Sequence, residues 1–298
     1  MYLLKKKDSR PIIVVGIGLI GVSVVDGLYM LGYEISDRRK IDWSGSNQEI
    51  VNDILSLFDS CMSDSTAVVW CAGKCGFNSL EAETKVEELS FFEIIAGIDE
   101  YLKRNERRLS FYLVSSIGGL FENQLSISSY SRPEPLRPYG RLKQTQEKLL
   151  LERSGEIKPF IFRLSSVYGE VDSKNRMGLI QVLIDNGIKN KTSKIFGTQD
   201  TLRDYTFVKD VSRFICNVIV NYYEYENNIF HLANGKPSSI KEIKEEVENK
   251  LKKKLLLSYD LNACNDLNIV CKPNSYGGTW LPSQLSENIR KIYDQVIN

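Results

Sequence analysis

The chain has 298 residues, of which 42% are hydrophobic and 26% are charged. These fractions are typical of a globular protein with a sizeable core, and they exclude a chain that is disordered throughout. Lys and Arg total 39 while Asp and Glu total 38. The net charge therefore gives no reason to expect a nucleic-acid partner or binding to an acidic membrane surface.

The sequence also argues against export and against a metal centre. Residues 1–10 are basic and lack the apolar core of a signal peptide, and the apolar run at 11–20 is too short to span a bilayer. None of the six cysteines forms a CxxC pair and the chain has a single histidine, so we expect neither zinc nor disulfides. We therefore expect a reduced, cytoplasmic protein without a membrane span.

Strand and helix patterns alternate along the chain. An apolar, β-branched run at 11–15 predicts a buried strand, and a helix then extends to Gly32. Further strands are predicted at 33–36, 41–43, 66–71, 109–114, 159–164, 193–196 and 228–232. Further helices are predicted at 49–61, 86–105, 139–154, 177–187, 208–223 and 238–254. This alternation indicates an α/β fold with a doubly wound parallel sheet.

A GxGxxG motif lies between the first strand and the first helix. Its glycines allow a tight turn and a close approach of the backbone to a pyrophosphate, and the helix N-terminus offers free N–H groups to that anion. The residues predicted to hold the dinucleotide here are Gly16, Gly18, Leu19, Ile20 and Gly21. The motif therefore predicts a dinucleotide cofactor.

The end of the second strand bears on which dinucleotide binds. Asp37 stands 16 positions after Gly21 and can accept hydrogen bonds from the adenosine ribose. Arg38 and Arg39 follow it and can pair with a 2′-phosphate. Because Asp37 would repel that phosphate, the sequence favours NAD and leaves NADP as the alternative.

A second motif carries acid–base chemistry. Tyr139 and Lys143 are four positions apart, on one face of a predicted helix. A phenol is a poor base at neutral pH, but a nearby ammonium stabilises its phenolate form. Ser115 and Ser116 end a predicted central strand, where open α/β sheets bind their ligands. We predict Tyr139, Lys143 and Ser116 as the catalytic residues, with Ser115 as the alternative serine.

These features resemble extended short-chain dehydrogenases/reductases, and within them the nucleotide-sugar epimerase/dehydratase family. The resemblance spans nearly the whole chain. It rests on the serine strand at 111–116, on YGRLKQTQEKLL at 139–150, on FRLSSVYG at 162–169 and on TLRDYTFVKDV at 201–211.

The resemblance implies a domain organisation and further site residues. A Rossmann-type domain would comprise residues 8–165, with 205–233 returning to it, and a smaller C-terminal α/β substrate lobe would comprise 166–204 and 234–298. Asp42 would reach the adenine, and Cys71, Ala72 and Gly73 would line the cofactor. The residues implied as substrate contacts are Lys74, Ser115, Ser166 and Arg203, of which Arg203 would contact the diphosphate. A homodimer through helices near 91–105 and 139–153 is also implied.

The chain departs from the family pattern at several points, among them Leu120-Phe121-Glu122 in place of the usual V-Y-G. Val15 replaces the first glycine of the usual GxxGxxG loop, and Ser166 replaces the usual asparagine. The family's dehydratases carry an acidic pair directly after the catalytic serine or threonine, whereas Ser116 is followed here by Ile117, Gly118 and Gly119. The chain therefore lacks the acid and base for elimination of water.

The resulting hypothesis is an NAD-dependent epimerase of a nucleotide sugar. It would invert C4 through a transient keto intermediate, in surface-polysaccharide or sugar-nucleotide biosynthesis. One alternative is an NADPH-dependent reductase of 4-keto-6-deoxy nucleotide sugars, which Arg38 and Arg39 favour. An alternative of another class is a non-catalytic NAD(P)-binding regulator.

Overall fold

The computed structural model describes residues 1–61, 63, 66–153, 155–169, 177–225, 228–260 and 267–297. Ser154, the predicted end of one helix, lies outside them. The strands in this described part are β1 (Tyr2–Lys5), β2 (Ile12–Val15), β3 (Glu34–Arg38), β4 (Ala67–Trp70), β5 (Leu109–Ser116), β6 (Ile157–Leu164), β7 (Ser166–Tyr168), β8 (Ser193–Phe196), β9 (Leu202–Phe207), β10 (Ile229–Leu232), β11 (Pro237–Ser239) and β12 (Leu257–Asp260). The α-helices are α1 (Leu19–Met30), α2 (Asn47–Cys61), α3 (Glu81–Arg104), α4 (Ile117–Leu120), α5 (Pro138–Glu152), α6 (Leu179–Ile188), α7 (Val208–Val220), α8 (Ile240–Leu251) and α9 (Leu285–Ile297).

A seven-stranded sheet has the order β10-β6-β5-β4-β2-β1-β3. The pairs β2–β4 and β4–β5 are parallel. Every residue of β2 and β4 is buried, as expected for strands covered on both faces. The predicted α/β, Rossmann-type class is confirmed.

Helices cover both faces of this sheet. On one face, Ile13 and Val68 pack in a core with Ile54 of α2, Ile95 of α3 and Leu150 of α5. Because side chains alternate along a strand, the neighbouring residues face the other way. They are fully buried as well, as at positions 14 and 69. The arrangement is therefore doubly wound.

The first strand was missed in the sequence. β1 is antiparallel to both β2 and β3 and lies between them. Residues 1–10 were interpreted only as a basic stretch, because their lysines dominate the composition. The apolar run Tyr2-Leu3-Leu4 was the available signal, since Leu3 and Leu4 are buried in the structure.

The predicted strand at 41–43 is wrong. These residues form no strand and lead into a turn. The Asp42 carboxylate accepts hydrogen bonds from the Ser44 backbone N–H (3.0 Å) and hydroxyl (2.6 Å), and Gly45 N–H donates to the Asp42 carbonyl (3.2 Å). Aspartate competes with strand pairing in this way, through hydrogen bonds to the backbone that follows it.

Helix α3 starts earlier than predicted, and α4 and α9 were not predicted. α3 begins at Glu81 rather than at 86, because the Glu83 carboxylate accepts a hydrogen bond from Leu80 N–H (2.8 Å) and caps the earlier turn. α9 was not predicted, although its Ile289 and Ile292 are buried. Within the residues described, no helix combines the length and the apolar character needed to cross a membrane.

The chain forms two compact units. The first comprises Met1–Leu120, Pro135–Arg163 and Ile215–Phe230, and the second comprises Phe121–Glu134, Leu164–Phe214 and His231–Asn298. The second contains a three-stranded sheet, β11-β9-β7, and a two-stranded sheet, β12-β8. The division into units differs from the predicted domains mainly at 121–134 and 205–214. Both segments were predicted to belong to the Rossmann-type domain and lie in the second unit.

The second unit has a core of its own. Ile184 of α6, Ile243 of α8 and Ile289 of α9 pack in one apolar cluster. The buried Asp204 carboxylate accepts hydrogen bonds from the backbone N–H groups of Asn234 (2.7 Å) and Gly235 (2.6 Å). Burial nevertheless holds the pKa of Asp204 above its usual value.

Candidate active site

Two glycines of the GxGxxG loop are required by packing. Gly16 has φ +89°, in the left-handed region, and a Cβ there would overlap the backbone of Ala72. A Cβ on Gly21 would overlap the carbonyl oxygen of Gly16. These contacts hold the turn against the end of β4, so that the loop and α1 meet with almost no side chain between them.

The middle glycine is open instead. Gly18 is the N-cap of α1, and no side chain caps that helix end. A Cβ on Gly18 would meet nothing within 4 Å. The first N–H groups of the helix therefore face free space, as in sites that bind phosphate groups.

A cavity of about 540 Å³ begins at this loop. A volume of this size is typical of sites for small molecules and cofactors. Its wall includes six predicted site residues, namely Gly16, Gly18, Cys71, Ala72, Gly73 and Lys74. It also includes residues that the sequence analysis did not single out, among them Trp43, Trp70, Glu87, Phe91 and Gln146. All of these residues belong to the first unit.

Two polar atoms on the cavity wall have no hydrogen-bond partner in the structure. They are Nε2 of Gln146 and Oε1 of Glu87. Gln146 is 1% exposed, and an unpartnered polar atom at such depth costs free energy unless a ligand or water satisfies it. The other Glu87 oxygen accepts from the N–H groups of Lys74 (2.8 Å) and Cys75 (2.8 Å). Gln146 and Glu87 thus each carry a buried polar atom whose hydrogen-bonding capacity is unused within the protein.

Cys71, one of two cysteines on the cavity wall, is not a nucleophile. Burial raises the pKa of the Cys71 thiol to about 12, although Lys143 lies near enough to lower it. The neutral thiol is therefore the form present at pH 7, and Cys71 contributes only shape and an apolar surface.

Gly119 brings two of the predicted catalytic residues together. Its N–H donates a hydrogen bond to the hydroxyl of Ser116 (3.1 Å), and a Cβ on it would lie 3.1 Å from Cδ1 of Tyr139. A Cβ on Gly140 would overlap the Gly119 carbonyl oxygen. The start of α5 is thus fixed directly against α4, and Tyr139 is fixed with it.

Lys143 is connected to the cavity through Gln146. Lys143 is buried, and its Nζ donates to Oε1 of Gln146 (3.0 Å) while lying 5.8 Å from the centre of the Tyr139 ring. Gln146 also lines the cavity, and its buried amide nitrogen has no hydrogen-bond partner. One glutamine therefore contacts Lys143 and belongs to the cavity wall.

Ser115, a predicted substrate contact, has a hydrogen-bond partner within the protein. Ser115 is 4% exposed, and its hydroxyl donates to Oε1 of Glu147 at 2.5 Å. Ser116 is half-buried, and its hydroxyl accepts from the N–H of Gly119, the glycine that lies against the Tyr139 ring. Ser116 therefore stays the predicted catalytic serine, and the Ser115 hydroxyl is engaged with Glu147 of α5.

The partner of Ser115 is a buried ion pair. Both Glu147 carboxylate oxygens accept hydrogen bonds from Arg163 of β6, with the shortest at 2.6 Å. The Arg163 and Glu147 side chains are 9% and 4% exposed. This pair joins α5 to β6, and through Ser115 to β5, in the part of the sheet that positions Ser116.

A family model for NAD-dependent epimerases and dehydratases matches residues 12–233, which is most of the chain. The chain belongs to the NAD-dependent epimerase/dehydratase family. It is accordingly an NAD-dependent enzyme of the extended short-chain dehydrogenase/reductase type, as predicted.

Individual relatives of this family are distant in sequence. A protein of Methanocaldococcus jannaschii assigned as a UDP-glucose 4-epimerase is 27% identical over 251 residues, which are 79% of this chain and 80% of that protein. The dTDP-4-dehydro-6-deoxyglucose reductase of Escherichia coli is 25% identical over 188 residues, which are 60% of this chain and 58% of that protein.

A solved structure supports the fold. The crystal structure of the Thermus thermophilus UDP-glucose 4-epimerase in complex with NAD superimposes with a TM-score of 0.73. The two chains are 15% identical, and the match covers 96% of this chain and 98% of that one. At this identity the likeness concerns the fold.

Three residues predicted to contact the adenosine are not among those that line the cavity. They are Asp37, Arg38 and Asp42. Asp37 instead pairs with Arg39 (3.1 Å). The Asp42 carboxylate is held by Ser44, whose hydrogen bonds lower the pKa of Asp42. Leu19 and Ile20 form the first residues of α1, directly after Gly18.

The remaining two predicted site residues of this epimerase/dehydratase chain lie in the second unit. Ser166 opens β7 and is half-buried, with Tyr205 of β9 opposite it. Arg203 lies on β9 and donates through Nη1 to the carbonyl oxygens of Leu202 and Leu267. Both residues thus belong to one small sheet.

Proposed function

We propose that this enzyme is an epimerase that inverts C4 of a nucleotide sugar. The observation that carries the proposal is the contact of Ser116 and Tyr139 with the same residue, Gly119, while Gln146 links Lys143 to the cavity. A serine, a tyrosine and a lysine assembled in this way suit reversible removal of a proton from a sugar hydroxyl.

The residues of the chain suit the cofactor. The glycine loop and the uncapped N-terminus of α1 would hold the pyrophosphate of NAD, and Gln146 with Glu87 would give polar contacts deeper in the cavity. The bound NAD would supply a reversible hydride acceptor for the sugar carbon. All proton handling falls to the side chains of this chain.

Tyr139 would act as the base and then as the acid. Its phenolate, stabilised by the Lys143 ammonium, removes the proton from the C4 hydroxyl and later returns it to the oxygen. Ser116 donates a hydrogen bond to that oxygen, where negative charge develops. Gln146 keeps Lys143 at the tyrosine. Inversion requires the transient keto sugar to turn over within the site before the proton returns.

Elimination of water is disfavoured by the residues after Ser116. Ile117 is fully buried and begins α4, and no acidic side chain occurs in Ile117–Leu120. The segment thus supplies neither the acid nor the base that a dehydratase needs. The family name covers both activities, and the local sequence favours epimerisation.

The substrate class is proposed from the relatives. A UDP-hexose is the first candidate, in surface-polysaccharide or sugar-nucleotide biosynthesis, because the M. jannaschii relative is assigned to UDP-glucose. Lys74 would contact the sugar, and Ser166 and Arg203 of the second unit would bind the nucleotide diphosphate, for which a guanidinium has suitable geometry. The second candidate is a reductase of 4-keto-6-deoxy nucleotide sugars, because the E. coli relative is a dTDP-4-dehydro-6-deoxyglucose reductase.

We also propose a homodimer through α3 and α5. Leu89 of α3 is 51% exposed and Leu151 of α5 is 41% exposed. Sedimentation equilibrium is expected to show twice the 34.0 kDa mass of the chain. A Leu89→Arg substitution is expected to give a monomer, because it places charge in the apolar contact. A monomeric wild-type protein would contradict the proposal.

The cofactor content separates the two candidate activities. An epimerase keeps its dinucleotide through the catalytic cycle, so denaturing the purified protein is expected to release stoichiometric NAD, identified by mass spectrometry. A protein that is isolated empty and oxidises added NADPH with a 4-keto-6-deoxy nucleotide sugar is instead a reductase. A protein that binds NAD and turns over no nucleotide sugar is a regulator.

The two serines are expected to respond differently to replacement by alanine. Ser116→Ala is expected to lower kcat by about 10²- to 10³-fold, as for loss of a donor to a developing oxyanion. Ser115→Ala is expected to lower the free energy of unfolding by about 1–3 kcal/mol, because it removes a donor from the buried Glu147 carboxylate, with a smaller effect on kcat. Steady-state kinetics and urea unfolding of both variants test this, and a larger kcat loss for Ser115→Ala would reverse the assignment.

A further inference from the structure

The inserted strand β1 moves Asp37 away from the glycine loop. Adjacent strands are about 4.8 Å apart, so with β1 between them β2 and β3 are separated by roughly 10 Å rather than 5 Å. Asp37 pairs with Leu3, which pairs with Ile13. Asp37 thus lies level with Ile13, and Gly16 stands three residues farther along the chain. At about 3.3 Å per residue this adds roughly 10 Å.

The side chains of β3 are also engaged locally. Asp37 accepts from Arg39 Nε (3.1 Å), and Arg39 donates in addition to the Ser56 hydroxyl. The Arg38 guanidinium lies 5.4 Å from the centre of the Tyr2 ring, which belongs to the inserted strand. β1 thus adds distance between Asp37 and the loop and also provides a contact for Arg38.

The cavity wall includes a cluster of apolar side chains that the sequence analysis did not predict. Trp70 in this cluster is 4% exposed and packs against Phe91 (5.6 Å between ring centres) and Phe111 (6.1 Å). Trp43 meets Trp70 edge to face at 6.1 Å and is 37% exposed. Ile50 and Ile94 complete this part of the wall. The buried Trp70 ring and the accessible Trp43 indole therefore line the same cavity as the glycine loop.

Trp43 is held in place by the turn that replaces the predicted strand. The Asp42 carboxylate accepts from Ser44 N–H and Oγ, so the residues on both sides of Trp43 are fixed to each other. Asp42 is thereby used in the turn and is absent from the cavity wall. Its effect on the cavity is to orient the neighbouring indole.

We propose that Trp43, above Trp70, forms the adenine subsite and that Asp37 is not the ligand of the adenosine ribose. A flat, apolar purine ring matches the aromatic part of the cavity wall, and the glycine loop of the same cavity matches the diphosphate. The inference rests on the proposal that NAD occupies this cavity. It assigns adenosine recognition to stacking rather than to the carboxylate that such folds ordinarily use at the end of the second strand.

Calorimetric titration with ADP-ribose, after removal of any bound dinucleotide, tests the subsite without turnover. Trp43→Ala is expected to weaken ADP-ribose binding by about 10- to 100-fold, the usual effect of losing an aromatic stacking partner of a base. Trp43→Phe keeps an aromatic face and is expected to retain most of the affinity. Asp37→Asn is expected to change the affinities for NAD and NADP by less than about threefold, because Asp37 is engaged with Arg39 outside the cavity.

The opposite pattern would overturn the inference. If Asp37→Asn loses tenfold or more in NAD affinity and gains NADP binding, Asp37 is the ribose ligand. If Trp43→Ala binds ADP-ribose like the wild type, the subsite lies elsewhere. Should Trp43→Ala fail to fold, Trp43→Leu preserves apolar bulk and removes only the aromatic face. If the wild type binds neither NAD nor ADP-ribose, the proposed function itself fails.

Discussion

Replacing Tyr139 by phenylalanine is expected to lower kcat by about 10²-fold or more while NAD still binds, because the phenol supplies proton transfer and the ring supplies packing against Gly119. The phenylalanine ring keeps that packing, so the start of α5 should not move. Steady-state kinetics and calorimetric titration with NAD on the same preparation separate the two properties.

A matched control for this variant is Tyr130→Phe. Tyr130 is 93% exposed, belongs to the second unit and is not among the residues that line the cavity. Removing its hydroxyl should leave kcat at the wild-type value. A Tyr139→Phe enzyme that turns over at the rate of Tyr130→Phe would show that Tyr139 is not the acid–base residue.

Replacing Glu147 by alanine is expected to lower the free energy of unfolding by about 3–5 kcal/mol, because it leaves the Arg163 guanidinium buried without its carboxylate. The Ser115 hydroxyl loses its acceptor in the same variant. Since β5 carries Ser116 next to Ser115, kcat should fall as well. Urea unfolding monitored by circular dichroism gives the free energy.

The control for this change lies on the same helix. Glu152 pairs with Lys148 at 3.7 Å, and both side chains are more than half exposed. Glu152→Ala should therefore cost no more than about 1 kcal/mol, as exposed pairs do. Equal unfolding free energies for the two variants would mean that the buried pair does not hold α5 to the sheet.

Local backbone rules made the glycine loop predictable. Gly16 needs a positive φ and Gly21 needs space beside the Gly16 carbonyl, and only glycine meets both demands without strain. The spacing of Tyr139 and Lys143 was readable for a similar reason, because a helix repeats at nearly four residues. These features depend on few distant partners, so the sequence shows them directly.

Strand order was not predictable in the same way. β1 pairs with β2 and β3 through backbone hydrogen bonds, which carry no side-chain signal for the choice of neighbours. The apolar run Tyr2-Leu3-Leu4 is followed by basic residues, and it is too short to show the alternation of a strand. Because β1 was not predicted, the displacement of Asp37 was not predicted either.

The choice between two adjacent serines also required the fold. Alternation along β5 places Ser115 and Ser116 on opposite faces, but it does not say which face holds Tyr139. Gly119 decides this, because its N–H donates to the Ser116 hydroxyl and the same residue lies against the Tyr139 ring. Trp43, Glu87 and Gln146 were missed for a related reason, since the cavity assembles single residues from several elements.

The most direct test of the proposed activity uses UDP-hexoses that carry deuterium at C4. The enzyme is incubated with labelled UDP-glucose, UDP-galactose and their N-acetylated counterparts without added cofactor, and the products are followed by NMR. We expect at least one pair to interconvert at C4 with the deuterium retained on that carbon. Failure of every pair to interconvert, together with consumption of NADPH in the presence of a 4-keto-6-deoxy nucleotide sugar, would contradict the epimerase and establish the reductase.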